Sequence, residues 1–338
     1  TMVAISVVIG LVFGILFKVG AGQEVLEGTA TAKNISPLYA TLRGLLPNNP
    51  VKSMVDLNII AIVIFSAFLG LGAKRMSKKY MDVVKPFYDL IHALHKIIIS
   101  IAITIIKLMP YAVIPLLANT IATRGMHAIL EVGKFIVVLY LAMAVMFVIQ
   151  ILALMVFKIN PIYYLKKSLH VMLLAFTSRS SVGTLPVTID NLTNRLGVNS
   201  GTASFVASFG TPAGMQGCAG VVPALLIVFV CNVAGTPIDF TLLVMSVIVI
   251  SIGSLGIAGI PGTATMAASV ALSGVGMSSQ FNLISPIIAI DPLIDMGRTC
   301  LNVTGSMTNA LIVDQTLGQL DHKKYADMNV ADGISIDD

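Results

Sequence analysis

Long apolar runs alternate with short polar segments along most of this chain. The apolar runs cover residues 3–17, 57–73 and 135–157, and the last run contains Gln150 as its only strongly polar residue. A bilayer core about 30 Å thick is crossed by roughly 20 residues of helix, so each run supplies all or most of a span. The pattern predicts an all-α membrane protein that crosses the bilayer several times.

Residues 88–122 also have a helical pattern, which Pro110 and Pro115 interrupt. A short and more polar segment, residues 124–134, separates this pattern from the third apolar run. We expect them to form an external connection between two long spans.

The composition excludes most soluble classes of protein. Of the 338 residues, 56% are hydrophobic and 11% are charged, and the mean hydropathy is +0.93. Soluble domains carry about 25% charged residues, so this chain has too little charge to cover a water-facing surface. A soluble enzyme, a nucleic-acid-binding module and a disordered chain are therefore excluded, and we expect lipid contact without any nucleic-acid partner.

The formal net charge of +5 arises from short basic clusters between the apolar runs. The clusters at residues 74–79 and 158–167 lie two spans apart, and hence on the same side of the membrane. Cytoplasmic loops are enriched in Lys and Arg, so we expect this side to be cytoplasmic. No basic segment precedes the first apolar run after Thr1, so we expect no signal peptide and expect the sequence to begin inside a longer protein.

The sequence offers little metal or disulfide chemistry. His92 and His95 are three residues apart but have no Cys or carboxylate at ligand spacing, so we interpret them as structural. An odd number of cysteines on apolar segments, with no C-x-x-C motif, indicates free and buried thiols. These cysteines are Cys218, Cys231 and Cys300. We expect no cofactor, and the sequence identifies no metal-ligand set.

After Lys167 the apolar runs become shorter and are broken by small polar residues at three places, residues 177–183, 210–217 and 253–262. Non-helical backbone at membrane depth is tolerated only where it is buried in protein or lines a watery cavity. Small residues that merely allow close helix packing are the alternative explanation. Three breaks within about ninety residues favour a binding site.

The last apolar run leads into a polar stripe. At 100° per residue its five members share an arc of about 80° on one helix face, and Thr299 borders that arc. The members are Asp291, Asp295, Arg298, Asn302 and Ser306. A charge at mid-membrane costs about 2.5–3.5 kcal/mol, so these groups must pair, line a cavity or bind a ligand. An Asp295–Arg298 ion pair that locks helix packing is one interpretation; an exposed Asp and Arg that take the ammonium and carboxylate of a zwitterion are the other.

At these residues the chain resembles the dicarboxylate/amino acid:cation symporter family. TSRSSVGTLPV (residues 177–187) is similar to the serine-rich first hairpin of that family, and DPLIDMGRTCLNVTG (291–305) to its last helix. AGIPG (258–262) is similar to the tip of the second hairpin, and PNNP (47–50) to the broken fourth helix. The motifs cover about the whole chain in the family's order, although the first two helices and part of the third are missing.

The resemblance implies a multi-span helical transporter with two re-entrant hairpins and broken helices, which works as a homotrimer by an elevator mechanism. Residues 1–87 would then be the end of the third helix, an outer loop and the broken fourth helix of the scaffold. Residues 88–167 would be the fifth and sixth helices. Residues 168–318 would form the transport core, with hairpin 1, the unwound seventh helix, hairpin 2 and the eighth helix. Residues 319–338 would be a polar cytoplasmic tail.

The resemblance also implies roles for individual residues. Asp295 would bind a substrate ammonium and Asn302 a carboxylate, while Arg298 matches the arginine that selects a side-chain carboxylate. The implied substrate site consists of Ser180, Ser181, Cys218, Gly259, Ile260, Asp295, Arg298, Thr299 and Asn302. The candidate ion-coupling residues are Gly210, Met215, Ser254, Asp291 and Asn302.

The chain departs from the sodium-coupled members at two places. Where they have Asn-Met-Asp-Gly-Thr in the unwound helix, residues 214–218 read Gly-Met-Gln-Gly-Cys, and Ser306 replaces a sodium-ligating Asp. Sodium prefers oxygen ligands and carboxylate charge, so the family's sodium coupling is not carried over, and the coupling ion stays open between a proton and sodium.

Residues 217–224 and 302–307 look most like the bacterial L-cystine uptake branch. L-cystine uptake is therefore the main hypothesis, and sodium-coupled transport of acidic amino acids or C4-dicarboxylates is the alternative. An ion channel would need rings of charge or carbonyls around a pore. An intramembrane hydrolase that used Ser180 or Ser181 would need a base, and no G-x-S-x-G or H-E-x-x-H motif is present.

Overall fold

The computed structural model describes residues 1–21, 49–55, 59–107, 109–257, 259 and 262–328. Within these ranges the regular structure is helical and contains no strand, which confirms the all-α prediction. The α-helices are α1 (Met2–Leu16), α2 (Pro50–Val55), α3 (Ile59–Ser77), α4 (Met81–Lys107), α5 (Met109–Val156), α6 (Pro161–Ser178), α7 (Leu185–Asp190), α8 (Ser200–Ala213), α9 (Val222–Ala234), α10 (Phe240–Gly253), α11 (Thr263–Gly274), α12 (Ser285–Ala289), α13 (Asp291–Thr316) and α14 (His322–Ala326).

The first predicted break is the turn of a helical hairpin, which we call hairpin 1 (α6 and α7). Asn160 caps the start of α6, because its side chain accepts a hydrogen bond from the Ile162 N–H, and Pro161 occupies the first helical position. At the other end of α6, Arg179 has a left-handed conformation with φ 54°. The turn that follows leads into α7 and then into a short π-helix, Asn191–Arg195.

The second predicted break divides one long helix, which we call the broken helix (residues 200–234). Its first half, α8, ends at Ala213, and residues 214–216 are not helical. A π-helix, Gly217–Val221, then leads into α9. A Cβ atom at Gly217 would lie 2.8 Å from the Arg298 carbonyl oxygen, so only glycine allows the break to approach α13 this closely.

The third predicted break is the tip of hairpin 2 (α10 and α11). Asp239 caps α10 by accepting a hydrogen bond from the Leu242 N–H, and the helix tightens into a 3₁₀ turn at Ser254–Gly256. On the far side of the tip, Gly262 has φ 84° immediately before α11 begins. Most L-residues avoid this conformation, so a glycine is required there. Ile260, one of the predicted site residues, lies outside the described residues.

The connection predicted at residues 124–134 is wrong, because these residues belong to the continuous helix α5. Met, Ala, Leu and Glu in this stretch are good helix formers, whereas Gly125 and Gly133 each cost only about 1 kcal/mol. Pro115 also lies inside α5 and does not end it.

Within the part of the chain that the structure describes, two helical segments are long and apolar enough to cross a membrane, Val132–Val156 within α5 and Ser200–Ala234 in the broken helix. The helices Met2–Leu16 and Phe240–Gly256 are apolar but shorter. The first of these, α1, coincides with the first predicted apolar run.

The broken helix lies at the centre of the fold. Its second half, α9, is almost wholly buried and packs against α1 and α11. The contact with α1 depends on small residues, since a Cβ atom at Gly10 would lie 2.7 Å from the Ala224 Cβ. The last long helix, α13, packs against α5, α6 and α8. The break in the middle of the broken helix therefore faces α13, which carries the polar stripe.

Candidate functional site

The charged residues of α13 form one buried cluster, which we call the charged triad (Asp291, Asp295 and Arg298). The Arg298 Nη2 atom donates to Asp291 Oδ1 at 2.5 Å and to Asp295 Oδ1 at 2.9 Å. Arg298 has no exposed surface, and the two aspartates are 1% and 2% exposed. The ion pair considered from the sequence is therefore present and includes Asp291 as well. The expectation of an exposed Arg298 is wrong.

The triad nevertheless keeps binding capacity. The Arg298 Nε and Nη1 atoms have no hydrogen-bond partner among the described residues, although the guanidinium is fully buried. An unpaired buried donor costs about 1–3 kcal/mol, and more when it is charged. Two carboxylates and one guanidinium also leave one negative charge in excess when all three are ionised. The cluster thus has donors for a carboxylate and a net charge that attracts an ammonium.

Asp295 is linked to the break in the broken helix through Cys218 and Asn302. The Cys218 thiol donates to Asp295 Oδ1 at 3.7 Å, and the Asn302 Nδ2 atom donates to the Cys218 sulfur at 3.1 Å. On its other side, Asn302 Oδ1 accepts the backbone N–H groups of Gly217 at 2.8 Å and of Cys218 at 3.3 Å. Thr299, which is 2% exposed, lies on the same helix. Asn302 therefore supplies the hydrogen bonds that the interrupted helix cannot supply to itself.

The two hairpin tips meet beside this network. The Val182 N–H and the Ser180 hydroxyl donate to the Gly259 carbonyl oxygen at 3.0 Å and 3.4 Å. A Cβ atom at Gly259 would lie 3.2 Å from the Ser181 Cβ and 3.1 Å from the Thr211 carbonyl oxygen. The sequence-predicted residues Ser180, Ser181 and Gly259 are therefore in one place, at the contact between the two tips.

Hairpin 1 also contacts the beginning of α13, and hairpin 2 contacts the charged triad. The Arg179 Nη1 atom donates to the Pro292 carbonyl oxygen at 3.4 Å. The backbone of Gly262 hydrogen-bonds to the Asp295 carboxylate. Both hairpins and the break thus meet at the first turns of α13, which carry Asp295.

Three of the candidate ion-coupling residues lie in different surroundings. Gly210 lies against Ser306, because a Cβ atom at Gly210 would be 2.6 Å from the Ser306 hydroxyl oxygen. Met215 is fully buried in the apolar cluster around α9. The Ser254 hydroxyl donates to the Ser251 carbonyl oxygen at 2.8 Å, so its hydrogen is used within its own helix.

Gln216 is held by a residue that the sequence did not identify as part of the site. The Gln150 Nε2 atom donates to Gln216 Oε1 at 2.7 Å and to the Leu301 carbonyl oxygen at 3.2 Å. Both glutamines are fully buried. The signal for Gln150 was its position as the only strongly polar residue in an apolar run, but its partner lies 66 residues away in sequence.

Gly305 makes room for the glutamine pair, since a Cβ atom there would lie 2.4 Å from Gln216 Nε2. Gln150 Oε1 and Gln216 Nε2 have no partner among the described residues. Within that part of the chain, no three His, Cys, Asp or Glu side chains come together as a metal-binding group. The polar core is therefore built from amides, hydroxyls and the charged triad.

Comparison with known proteins agrees with the resemblance found in the sequence. Residues 1–316 match the sodium:dicarboxylate symporter family. The chain is 40% identical over 309 residues to the L-cystine uptake protein TcyP of Bacillus thuringiensis, which covers 90% of this chain and 66% of that protein. The L-cystine uptake proteins TcyP of Bacillus licheniformis and Shouchella clausii are 39% and 36% identical, with 84% and 96% of this chain and 62% and 73% of those proteins covered.

The chain thus spans slightly less than two thirds of the length of the two Bacillus proteins. The family resemblance stated from the hairpin and last-helix motifs is confirmed. The family and these relatives are transporters rather than enzymes, which counts against the hydrolase hypothesis.

Proposed function

The chain belongs to the sodium:dicarboxylate symporter family, and on that premise we propose that it is a secondary active transporter that carries L-cystine across the cell membrane. The observation that carries this proposal is the buried charged triad beside the hairpin tips and the break, whose Arg298 has two nitrogen atoms without a hydrogen-bond partner among the described residues.

The triad matches the chemistry of an amino acid. A substrate ammonium would lie beside Asp295, where the excess negative charge of the triad attracts it. A carboxylate would accept a charge-assisted hydrogen bond from Arg298 Nε or from Arg298 Nη1, whose hydrogens lie along different edges of the guanidinium. L-cystine has two ammonium and two carboxylate groups and no net charge, so it can satisfy both partners without adding charge to a buried site.

The names of the relatives support the choice of L-cystine, because each is an L-cystine uptake protein at 36% identity or more. Cys218 and Asn302, which the sequence assigned to the substrate site, border the triad through the contacts described above. Ser180, Ser181, Gly259 and Ile260 would complete the wall of the site at the hairpin tips.

An elevator mechanism and a homotrimer are part of the proposal. Hairpin 1, the broken helix, hairpin 2 and α13 are joined by hydrogen bonds across their contacts, which suits a domain that moves as one body around a bound substrate. Residues 1–87 would belong to the static scaffold of each subunit. The basic clusters at residues 74–79 and 158–167 support a multi-pass topology with a cytoplasmic C-terminus.

Acidic amino acids and C4-dicarboxylates are the competing substrates, since the Arg298 Nε and Nη1 atoms, which have no partner among the described residues, would also donate to a side-chain carboxylate. A C4-dicarboxylate, however, brings two negative charges and no ammonium to a site that already has a negative excess. Burial makes this repulsion costly, so we expect these anions to bind more weakly than a zwitterion.

Uptake into proteoliposomes tests the proposal. Radiolabelled L-cystine should accumulate inside vesicles that contain the protein, and excess unlabelled L-cystine should compete fully. Aspartate should compete weakly and succinate should not compete. Equal competition by succinate, or no uptake above empty vesicles, would contradict the assignment of L-cystine.

A further inference from the structure

The polar segment after α13 is docked against the protein as far as the structure describes it. Residues 318–327, which we call the strap, turn back beneath hairpin 1 and include α14. Leu320 and Tyr325 are 6% and 4% exposed and belong to the apolar cluster between α6 and α13. A five-residue helix is not stable in water on its own. Contacts with the rest of the protein must therefore hold the strap in place.

Lys167 provides the most concentrated of these contacts. Its ammonium group, carried by α6, donates to the backbone carbonyl oxygens of Arg195 at 2.9 Å, Lys324 at 2.7 Å and Tyr325 at 2.8 Å. A lysine has three N–H donors, so all of them are used. Lys167 is only 7% exposed, although lysine is among the residues that are least often buried.

The three carbonyl groups share one property, which is that they lie at the carboxyl ends of short helices. Arg195 ends the π-helix Asn191–Arg195, and Lys324 and Tyr325 lie in the last turn of α14. Carbonyls there have no partner within their helix, and the helix dipole favours a cation beside them. The Lys167 ammonium, which α6 carries, thus caps two helices. One is the π-helix that follows α7, and the other is α14 in the strap.

Two further contacts fasten the strap to both ends of hairpin 1. The Tyr325 hydroxyl donates to the Asn160 carbonyl oxygen at 2.8 Å, where α6 begins. The Asp321 N–H donates to the Gly197 carbonyl oxygen at 3.0 Å, beyond the π-helix. Gly197 has φ 70°, and a Cβ atom there would lie 2.6 Å from the Asp321 carbonyl oxygen, so the two segments approach at a position that only glycine tolerates.

We propose that the strap fixes the base of hairpin 1 and that Lys167 is the positioning residue through which it does so. The helix α6 runs without a break from Pro161 to Ser178 and continues directly into Ser180 and Ser181. At 1.5 Å per residue, Lys167 lies about 17 Å along the helix from its end at Ser178. A rigid helix transmits a tilt at its base to its tip, so the strap sets the position of the hairpin tip in the substrate site.

Hydrogen–deuterium exchange on the purified protein tests this proposal without any substrate. We expect Lys167→Met to speed amide exchange about tenfold or more in residues 319–327 and 191–198, with a smaller increase at the tip, residues 179–184. Lys166→Met is the matched control, because it removes the same charge from the neighbouring, exposed side chain. Lys167→Arg keeps the charge and several donors and should restore part of the protection.

Faster exchange spread evenly over all helices, or no change at the tip in Lys167→Met, would overturn the proposal. The functional readout rests on the proposed function. Because fewer molecules would have a correctly placed tip, the apparent affinity for L-cystine should fall severalfold, with a smaller change in the maximal uptake rate. Unchanged affinity together with faster exchange at the tip would overturn the link to the substrate site. If the wild-type protein failed to bind L-cystine, the exchange result would still decide whether the strap positions hairpin 1.

Discussion

At the scale of single residues, we expect substrate binding to depend most on Arg298. We expect Arg298→Ala to abolish L-cystine binding, because the carboxylate partner is lost and Asp291 and Asp295 remain buried without a counter-charge. Truncation of one partner of a buried, hydrogen-bonded charge pair in a binding interface costs about 2–5 kcal/mol, which corresponds to a loss of affinity of roughly thirtyfold to several thousandfold. Equilibrium binding of radiolabelled L-cystine to the purified protein measures this loss.

Arg179→Ala is the control for the loss of positive charge near the site. Arg179 is half-buried and makes a single 3.4 Å contact with the Pro292 carbonyl oxygen, so its removal should weaken binding far less. Binding of L-cystine that is unchanged in Arg298→Ala would show that the charged triad only locks helix packing.

The Gln150–Gln216 pair gives a residue-scale prediction about stability. Gln150→Leu should lower the melting temperature in detergent, because Gln216 and the Leu301 carbonyl lose a buried donor, at a cost of about 1–3 kcal/mol. The double variant Gln150→Leu/Gln216→Leu should melt close to the single variants, since both polar partners are then removed. Strictly additive shifts would show that the two glutamines do not interact.

The periodicity of α13 predicted which residues share a face but not how they pair. Asp291, Asp295 and Arg298 were placed on one arc from their spacing, and the structure brings all three together. Whether the guanidinium faces a cavity or its own neighbours depends on side-chain conformation and on packing with other elements, which spacing does not contain. The partner of Gln150 was hidden for the same reason, because the contact is long-range.

At the scale of elements, the tip of hairpin 2 is the part of the site most sensitive to volume. Gly259 lies where a Cβ atom would already be 3.1–3.2 Å from Thr211 and Ser181, so Gly259→Val should push the two tips apart. We expect the initial rate of L-cystine uptake to fall at least about tenfold while membrane insertion is unchanged. Gly259 is sensitive to substitution because the two hairpin tips approach each other closely there. The residue of this tip whose left-handed backbone conformation requires glycine is Gly262.

Gly133→Val is the matched control for this change, because no atom of the described residues lies within 4 Å of a Cβ atom at Gly133. It inserts the same side chain into a helix without a steric conflict. Wild-type uptake in Gly259→Val would mean that the tips tolerate the extra volume and that their contact is only structural.

The helix breaks were easier to predict than the helix connections. Each break in the described chain contains glycine, proline or serine at the place where the helix stops, and these residues act locally. Local residue types did not predict that the helix continues through residues 124–134, since moderate polarity is compatible with an exposed helix as well as with a turn. Likewise, the polar character of the strap concealed that Leu320 and Tyr325 dock against hairpin 1.

At the scale of the whole molecule, the proposed transport core depends on interactions between elements far apart in sequence. The charged triad belongs to α13, but Asn302 holds the break of the broken helix and Gln150 of α5 holds Gln216. A substrate that binds Asp295 is therefore connected to every element of the core. This connectivity is what the proposed movement of the core as one body requires.

The same contacts lead to an expectation about the ion that drives transport. Gln216 Oε1 already accepts from Gln150, and the resemblance places the Ser306 hydroxyl where sodium-coupled members have a carboxylate, so we expect sodium to lack charged oxygen ligands at these two positions. The excess carboxylate of the charged triad can instead accept a proton. We expect L-cystine uptake into proteoliposomes to persist when choline replaces sodium on both sides, and to rise when an inward proton gradient is imposed. Uptake that stops without sodium and increases steeply with its concentration would show that other oxygen atoms, such as backbone carbonyls at the hairpin tips, form a sodium site.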